Sequence, residues 1–390
     1  MTRSSVRGRL APSPTGYLHL GNARSFLLAW LQVRALGGEI ILRIEDVDAA
    51  RAVQGADRAI VEDLAWLGLD WDNPLDGRFY QSQRLDNYTT ALSNLHSRGL
   101  LYECFCSRRE LDSIASAPHG VAGPRYPGTC REFGEREREQ RRRTKQPALR
   151  LRIPDPCPVE FNDLVAGFQR TDLARSAGDF ILARADGVIG YQLAVVVDDI
   201  AHGITHVLRG DDLLESTPRQ IHLHRLLGNT PPHFAHVPLL LGTDGARLAK
   251  RHGAVSLAEL RAAGADPQRV VGYLASSCGL RDVAEPCAPH ELIAGFDLSR
   301  IGREPTVWRG EGEEWELPCT SRRCPNTPPT SSQSSRGTDD YPHSMAHPPP
   351  SVRHSGNARS VRQEGRNSHG RLDNDARQHS GTNVHNATDG

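Results

Sequence analysis

Apolar and polar positions alternate with different periods along this chain, and the changes of period mark its elements. Val6-Arg-Gly-Arg-Leu10 can serve as a short strand, and Ser25–Leu36 carries apolar residues at helical spacing until Gly37-Gly38 stops it. Glu39–Ile44 then predicts a buried strand ending in Glu45-Asp46. Strand, helix and strand in that order form a βαβ unit, which predicts a parallel sheet and an α/β fold. Arg58–Leu67 and Gln83–Arg98 are amphipathic helices, whereas residues 102–170 are turn-rich and predict an insertion with an Arg/Glu-rich helix at Glu135–Arg143. Asp179–Arg184 and Tyr191–Val197, on either side of Asp186-Gly187, predict two paired strands. His206–Arg209 reads as a strand, Thr217–Leu227 as a helix, and Pro238–Leu241 as a strand before the loop Gly242–His252. Leu257–Leu260 and Pro267–Ser277 read as helices. After Gly302 the periodicity stops. Residues 318–390 are rich in Pro, Ser, Thr, Asn, Arg and His and nearly lack Leu, Ile and Phe, so they predict a tail that cannot offset its ordering entropy. A genuine flexible tail and a shifted reading frame both account for so abrupt a break.

Composition narrows the class without naming the chemistry. At 390 residues there is room for two or three domains, and 47 basic against 47 acidic residues announce no global polyanion partner. No apolar run approaches membrane-spanning length and no leader precedes the first strand. The expectation is a soluble cytoplasmic monomer with no membrane association. Eight cysteines occur at uneven spacing, three of them in one short stretch, which in a cytosolic chain favours a metal over disulfides.

The candidate chemistry begins where the first strand meets the first helix. Arg9-Leu-Ala-Pro-Ser-Pro-Thr-Gly-Tyr-Leu-His-Leu-Gly-Asn22 places turns, glycines and His19 at a helix start. Free backbone N–H groups and a helix dipole there suit a phosphate chain. The segment is neither a Walker loop nor a GxGxxG fingerprint. A lone His-x-Gly is more often a packed histidine, but the rigid Pro12-Ser-Pro14 and the strand-to-helix setting argue against that here. Gly242–Arg251 is a glycine-containing loop whose Lys250 can close over a triphosphate, although by itself it reads as a cationic surface turn. Glu45, at the end of a strand, can accept from an α-ammonium group. Arg9 and Arg209 lie on strands, where an arginine is costly unless it meets an anion. A guanidinium has donors only, so these arginines select a side-chain carboxylate over an amide. Tyr191 offers a hydroxyl to the same place. Cys104-Phe-Cys106 with Tyr126 and Cys130 can make a four-coordinate zinc site, three buried free thiols being the plainer alternative.

These segments, with Ile44-Glu-Asp46, Tyr191–Asp199 and Arg209-Gly-Asp-Asp-Leu-Leu-Glu-Ser-Thr-Pro-Arg-Gln220, resemble the glutamyl-tRNA synthetases of class I from about residue 6 to 300. The resemblance is closer to their shortened relatives, the glutamyl-Q tRNA(Asp) synthetases. It implies a Rossmann-like class I aminoacyl-tRNA synthetase catalytic domain with a zinc-bearing insertion and a short C-terminal helical region. The implied parts are a nucleotide-binding half (1–100), the insertion (101–170), a second half carrying the signature loop (171–253), a helical stem-contact region (254–302) and the tail (303–390). By resemblance Arg9, Ala11, Ser13, Glu45, Tyr191 and Arg209 bind L-glutamate, and Pro12, His19, Gly21, Asn22 and Lys250 bind ATP with Mg²⁺. His19 and Lys250 carry catalysis. Cys104, Cys106, Tyr126 and Cys130 hold one structural Zn²⁺. The Cys-x-Cys…Tyr-x-x-x-Cys pattern and the lack of a helical anticodon-binding domain after residue 300 favour the shortened relatives. Their implied reaction is tRNA-independent formation of glutamyl-adenylate and transfer of glutamate to queuosine at the wobble position of tRNA(Asp). A glutamyl-tRNA synthetase charging tRNA(Glu) and a catalytically weak tRNA-binding paralogue are the alternatives. There are two departures: the loop reads Arg247-Leu-Ala-Lys-Arg251, losing a hydroxyl at Ala249, and the Cys106-to-Tyr126 spacer is long.

Overall fold

The computed structural model describes residues 6–107, 110, 125–246, 248 and 256–308. The predicted βαβ unit is present as β1 (Arg7–Leu10), α1 (Leu20–Ala35) and β2 (Glu39–Leu42), and β1 and β2 pair in parallel. Gly8 lets α1 lie directly on β1, since a Cβ there would stand 2.2 Å from Val33 Cγ2. Then follow α2 (Ala56–Trp66) and α3 (Leu85–Ser97), with Ile60, Leu64, Tyr88 and Leu95 buried as their spacing requires.

The turn-rich insertion has more order than its pattern predicted. It contains β3 (Leu101–Cys104), α4 (Glu135–Arg142), β4 (Ala148–Leu151) and a hairpin of β5 (Pro158–Asp163) with β6 (Gly167–Asp172). After the single turn α5 (Leu173–Ser176), β7 (Ile181–Ala183) completes an antiparallel β3-β4-β7 sheet.

The expected strand at Tyr191–Val197 is instead a helix, α6 (Tyr191–Ala201). Leu193–Val197 is buried on every side, so the run has no polar face to reveal its period, and its three valines argue locally for a strand. Only a bridge between Ala183 and Ile189 remains of the expected pairing. The first helix also begins at Leu20 rather than Ser25, because His19 takes an extended N-cap conformation and its N–H donates to Asn22 Oδ1 at 3.4 Å.

A second parallel unit follows in β8 (His206–Gly210), α7 (Thr217–Leu226) and β9 (His233–Val237). Its last strand had no counterpart in the sequence pattern. β8 lies against β1, where the Thr205 N–H donates to the Arg7 carbonyl at 2.8 Å. Beyond β10 (Leu240–Leu241) stand α8 (Leu257–Ala262) and α9 (Pro267–Ser277), and β11 (Thr306–Val307) pairs in parallel with β10. The two larger apolar cores lie around α1 and around α6, and a small third one gathers Tyr102, Phe105 and Tyr126. No helix among the described residues is long and apolar enough to cross a membrane.

Candidate active site

The carboxyl ends of β1, β2 and β8 open into one cleft of about 830 Å³, where parallel α/β sheets place ligands. Arg9 and Ala11 enter it from the end of β1, Ser13 from the loop beyond, and His19, Gly21 and Asn22 from the start of α1. Glu45 enters after β2, Tyr191 from the first turn of α6 and Arg209 from β8. Almost all the predicted nucleotide and glutamate residues therefore meet in one cavity. Pro12 is absent from the lining; it is buried, and its carbonyl accepts from the Glu45 N–H at 2.9 Å, fixing where Glu45 projects. Arg247, Ala249, Lys250 and Arg251 lie outside the described residues.

A buried ionic network holds the acidic and basic groups of the cleft. Arg43, fully buried, donates to Glu45 Oε1 at 2.9 Å and stands 2.8 Å from Asp199 Oδ1, which also pairs with Arg9 Nε at 3.0 Å. Asp198 receives Arg84 Nε at 2.6 Å, Gln81 Nε2 at 2.8 Å and the Tyr88 hydroxyl at 2.9 Å. Burial raises the pKa of Asp199, but Arg9 and Arg43 outweigh it and hold the carboxyl below its ordinary range. Burial pushes the Tyr191 phenol up, which keeps its hydroxyl a donor. On Arg209, Nε meets His236 Nε2 at 3.0 Å and Nη2 meets Thr217 Oγ1 at 2.9 Å. Nη1 is buried and makes no hydrogen bond among the described residues. A buried guanidinium with an open donor calls for an anion.

Sequence reasoning missed Arg43, Gln81, Asp163, Asp198, His236 and Thr217. Arg43, inside the apolar run Ile40–Ile44, and the acid pair ending Leu193–Asp199 were the available signals, since a charge in such a run needs a partner. Gln81 lines the cleft and is fully buried; its N–H donates to the Ile44 carbonyl at 3.1 Å, seating it beside Glu45.

A second cluster lies at the end of β3. The Sγ atoms of Cys104, Cys106 and Cys130 lie within 4.8 Å of one another, those of Cys106 and Cys130 being 3.6 Å apart. The Tyr126 hydroxyl stands 3.5 Å from Cys104 Sγ and 3.7 Å from Cys106 Sγ. A tetrahedral zinc with Zn–S bonds of about 2.3 Å sets its sulfurs about 3.8 Å apart, so this donor set fits one zinc ion. Hydrogen bonding with Cys130, helped by Tyr126 and Arg150, brings the Cys104 thiol down, toward the thiolate that a metal takes. Residues 108–109 and 111–124 of the long spacer lie outside the described residues.

One cleft thus brings together the start of α1, two buried arginines and a glutamate at the carboxyl ends of parallel strands, the arrangement of a small-molecule site in an α/β enzyme. Residues 5–305 match the family of class I tRNA synthetases (E and Q), catalytic domain, and the chain belongs to that family. It is an enzyme and a ligase. Within the family it is 57% identical over 306 residues to a glutamyl-Q tRNA(Asp) synthetase of Symbiobacterium thermophilum, with 76% of this chain and 94% of that protein covered. A second glutamyl-Q tRNA(Asp) synthetase, from Nitratidesulfovibrio vulgaris, is 47% identical, with 77% and 95% covered. The glutamate–tRNA ligase of Nitrosospira multiformis is 43% identical, but only 65% of its length is covered. Among solved structures, a glutamate tRNA ligase from Elizabethkingia meningosepticum in complex with its amino acid superposes with a TM-score of 0.67 at 28% identity. That match covers 78% of this chain and 67% of the other.

Proposed function

We propose that the chain activates L-glutamate with ATP without needing tRNA, and passes it to queuosine at the wobble position of tRNA(Asp). The observation that carries this reading is the pattern of coverage. The chain spans 94% and 95% of the glutamyl-Q relatives, and 65% of the glutamate–tRNA ligase. In this reading Arg209 Nη1, with Arg9 and Tyr191, receives the side-chain carboxylate of glutamate. Glu45 receives its α-ammonium, and Ala11 and Ser13 line the same subsite. Glutamine is disfavoured because its amide NH₂ would face guanidinium donors that have no acceptor to offer.

ATP lies along the α1 N-terminus, where Gly21 lets the backbone approach and His19 and Asn22 meet the phosphates. An α-carboxylate oxygen of glutamate attacks the α-phosphorus. The bond from that phosphorus to the bridging oxygen breaks, and pyrophosphate carries away the electron pair. Mg²⁺, when bound with ATP, neutralises charge on the leaving pyrophosphate. The chain's own part is positioning and charge neutralisation, with Lys250 supplying the second cation. A hydroxyl of the cyclopentenediol of queuosine then attacks the mixed anhydride, and AMP leaves.

ATP–pyrophosphate exchange tests the reading. Glutamate-dependent exchange at full rate without tRNA is expected, and the terminal ribose of the charged tRNA(Asp) should remain open to periodate cleavage, whereas an ester on that ribose would protect it. Exchange that begins only when tRNA(Glu) is added would move the assignment to a glutamyl-tRNA synthetase, and no glutamate-dependent exchange to a non-catalytic paralogue.

The thiol cluster is read as a structural Zn²⁺ site with Cys104, Cys106, Tyr126 and Cys130 as ligands, pinning the loop after β3 to the Tyr126–Cys130 turn. Cys130→Ser is expected to empty the site, taking metal content from one zinc per chain toward zero by elemental analysis. The same variant should lower Tm by roughly 5 °C or more, since structural zinc is bound through folding free energy. A wild-type chain that purifies without zinc after growth in zinc would remove the site.

A further inference from the structure

We infer that Asp163 and His236 form a buried relay beneath the cleft that aims the guanidinium of Arg209, which makes both of them positioning residues for selection of an anionic side chain. The inference rests on the reading of Arg209 as the side-chain ligand.

The hydrogen bonds allow one arrangement of protons. Arg209 Nε–H can only donate, so His236 Nε2, 3.0 Å away, must present its lone pair. The proton of the neutral ring then sits on Nδ1, which is 2.6 Å from Asp163 Oδ2. A ring protonated at both nitrogens would set N–H against N–H and one cation against another. Burial and the neighbouring Arg209 press the His236 pKa down, in accord with a neutral ring. The carboxylate is itself fixed: Asp163 Oδ1 accepts from the backbone N–H groups of Val165, Ala166 and His236 at 3.0, 2.8 and 3.1 Å. Both side chains of the pair are fully buried.

The relay occupies one edge of the guanidinium. His236 takes Nε and Thr217 takes Nη2, which leaves Nη1 buried and without a partner among the described residues. Nη2 also donates to the Leu213 carbonyl at 3.4 Å, so an arginine so held presents Nη1 as its fixed open donor, and an anionic side chain is the group that answers it. Asp163 ends β5, in the segment whose pattern predicts only an insertion. The hairpin turn docks on β9, where the Leu164 N–H donates to the Phe234 carbonyl at 2.9 Å. The insertion thus supplies a support of the specificity arginine.

Two measurements test this. First, ¹⁵N NMR of the histidine-labelled full chain should show His236 as the Nδ1–H tautomer at neutral pH. An Nε2–H ring or an imidazolium there overturns the relay, whatever any variant does. Second, His236→Leu is expected to raise the glutamate KM in the exchange assay roughly 10- to 100-fold, the worth of a hydrogen bond to a charged group. The KM for ATP should stay put, and discrimination against glutamine should fall. His236→Gln, whose Oε1 can replace Nε2 as acceptor, should recover most of that loss. If His236→Leu does not fold, Asp163→Asn, which frees the tautomer, serves in its place and should shift the same KM. An unchanged glutamate KM in the relay variants, with a large rise in Arg209→Ala, overturns the relay alone. An unchanged KM in Arg209→Ala as well overturns the reading of Arg209 on which the relay depends.

Discussion

Arg209→Ala raises the KM for glutamate by about 30-fold to several thousandfold and leaves the KM for ATP where it was. The size follows from burial. Truncating one partner of a buried, hydrogen-bonded charge pair costs about 2–5 kcal/mol, because the other charge stays desolvated without its partner. Arg209 is 6% exposed and its Nη1 has no protein partner among the described residues, so the substrate carboxylate is the group that would lose its counter-charge. The variant also removes the guanidinium donors from His236 Nε2 and Thr217 Oγ1, which stand 3.0 Å from each other, so part of the effect falls on the free enzyme. Glutamine should be affected far less, because its amide gains little from a cation. Exchange kinetics with both amino acids measure the difference, and parallel losses for glutamate and glutamine would show that Arg209 serves the fold and not the choice of substrate.

The parts of this site that were legible in the sequence are those whose chemistry is carried by one short segment. The β1–α1–β2 unit could be read because Gly37-Gly38 ends the helix and Ile40–Leu42 is too short and apolar for anything but a buried strand. Arg9 and Arg209 stood out because a guanidinium on a buried strand is costly, whatever surrounds it. The illegible parts depend on partners distant in the chain. Asp163 and His236 are 73 positions apart and nothing local marks either as a partner of Arg209. Tyr191–Ala201 was misread because every position from Leu193 to Asp199 is buried, which erases the difference between periods of 2 and 3.6. The β5–β6 hairpin was hidden for the opposite reason. Glu160, Asn162 and Arg170 face outward on a two-stranded ribbon, so its alternation resembled a polar loop.

Lys250→Ala should reduce the exchange rate roughly 10²–10³-fold at saturating substrates while glutamate binds as before, the size expected when one donor aimed at transition-state charge is removed. The described residues that flank this lysine in sequence are tied to the cleft. On one side the Leu248 N–H donates to the carbonyl of Leu240, which lines the cleft, at 3.1 Å. On the other, Ser256 bridges to His19 and the Leu257 N–H donates to the Leu18 carbonyl at 2.8 Å. In the proposed reading the Lys250 ammonium and His19 act on the same phosphates. In that reading Lys250 meets charge that develops on the α-phosphate during attack, whereas ground-state glutamate, assigned to Arg9, Glu45 and Arg209, does not depend on it. Exchange kinetics give the first quantity and calorimetric glutamate binding the second. A variant that exchanges at the wild-type rate removes Lys250 from the reaction, and one that loses glutamate binding in proportion makes it a binding residue instead.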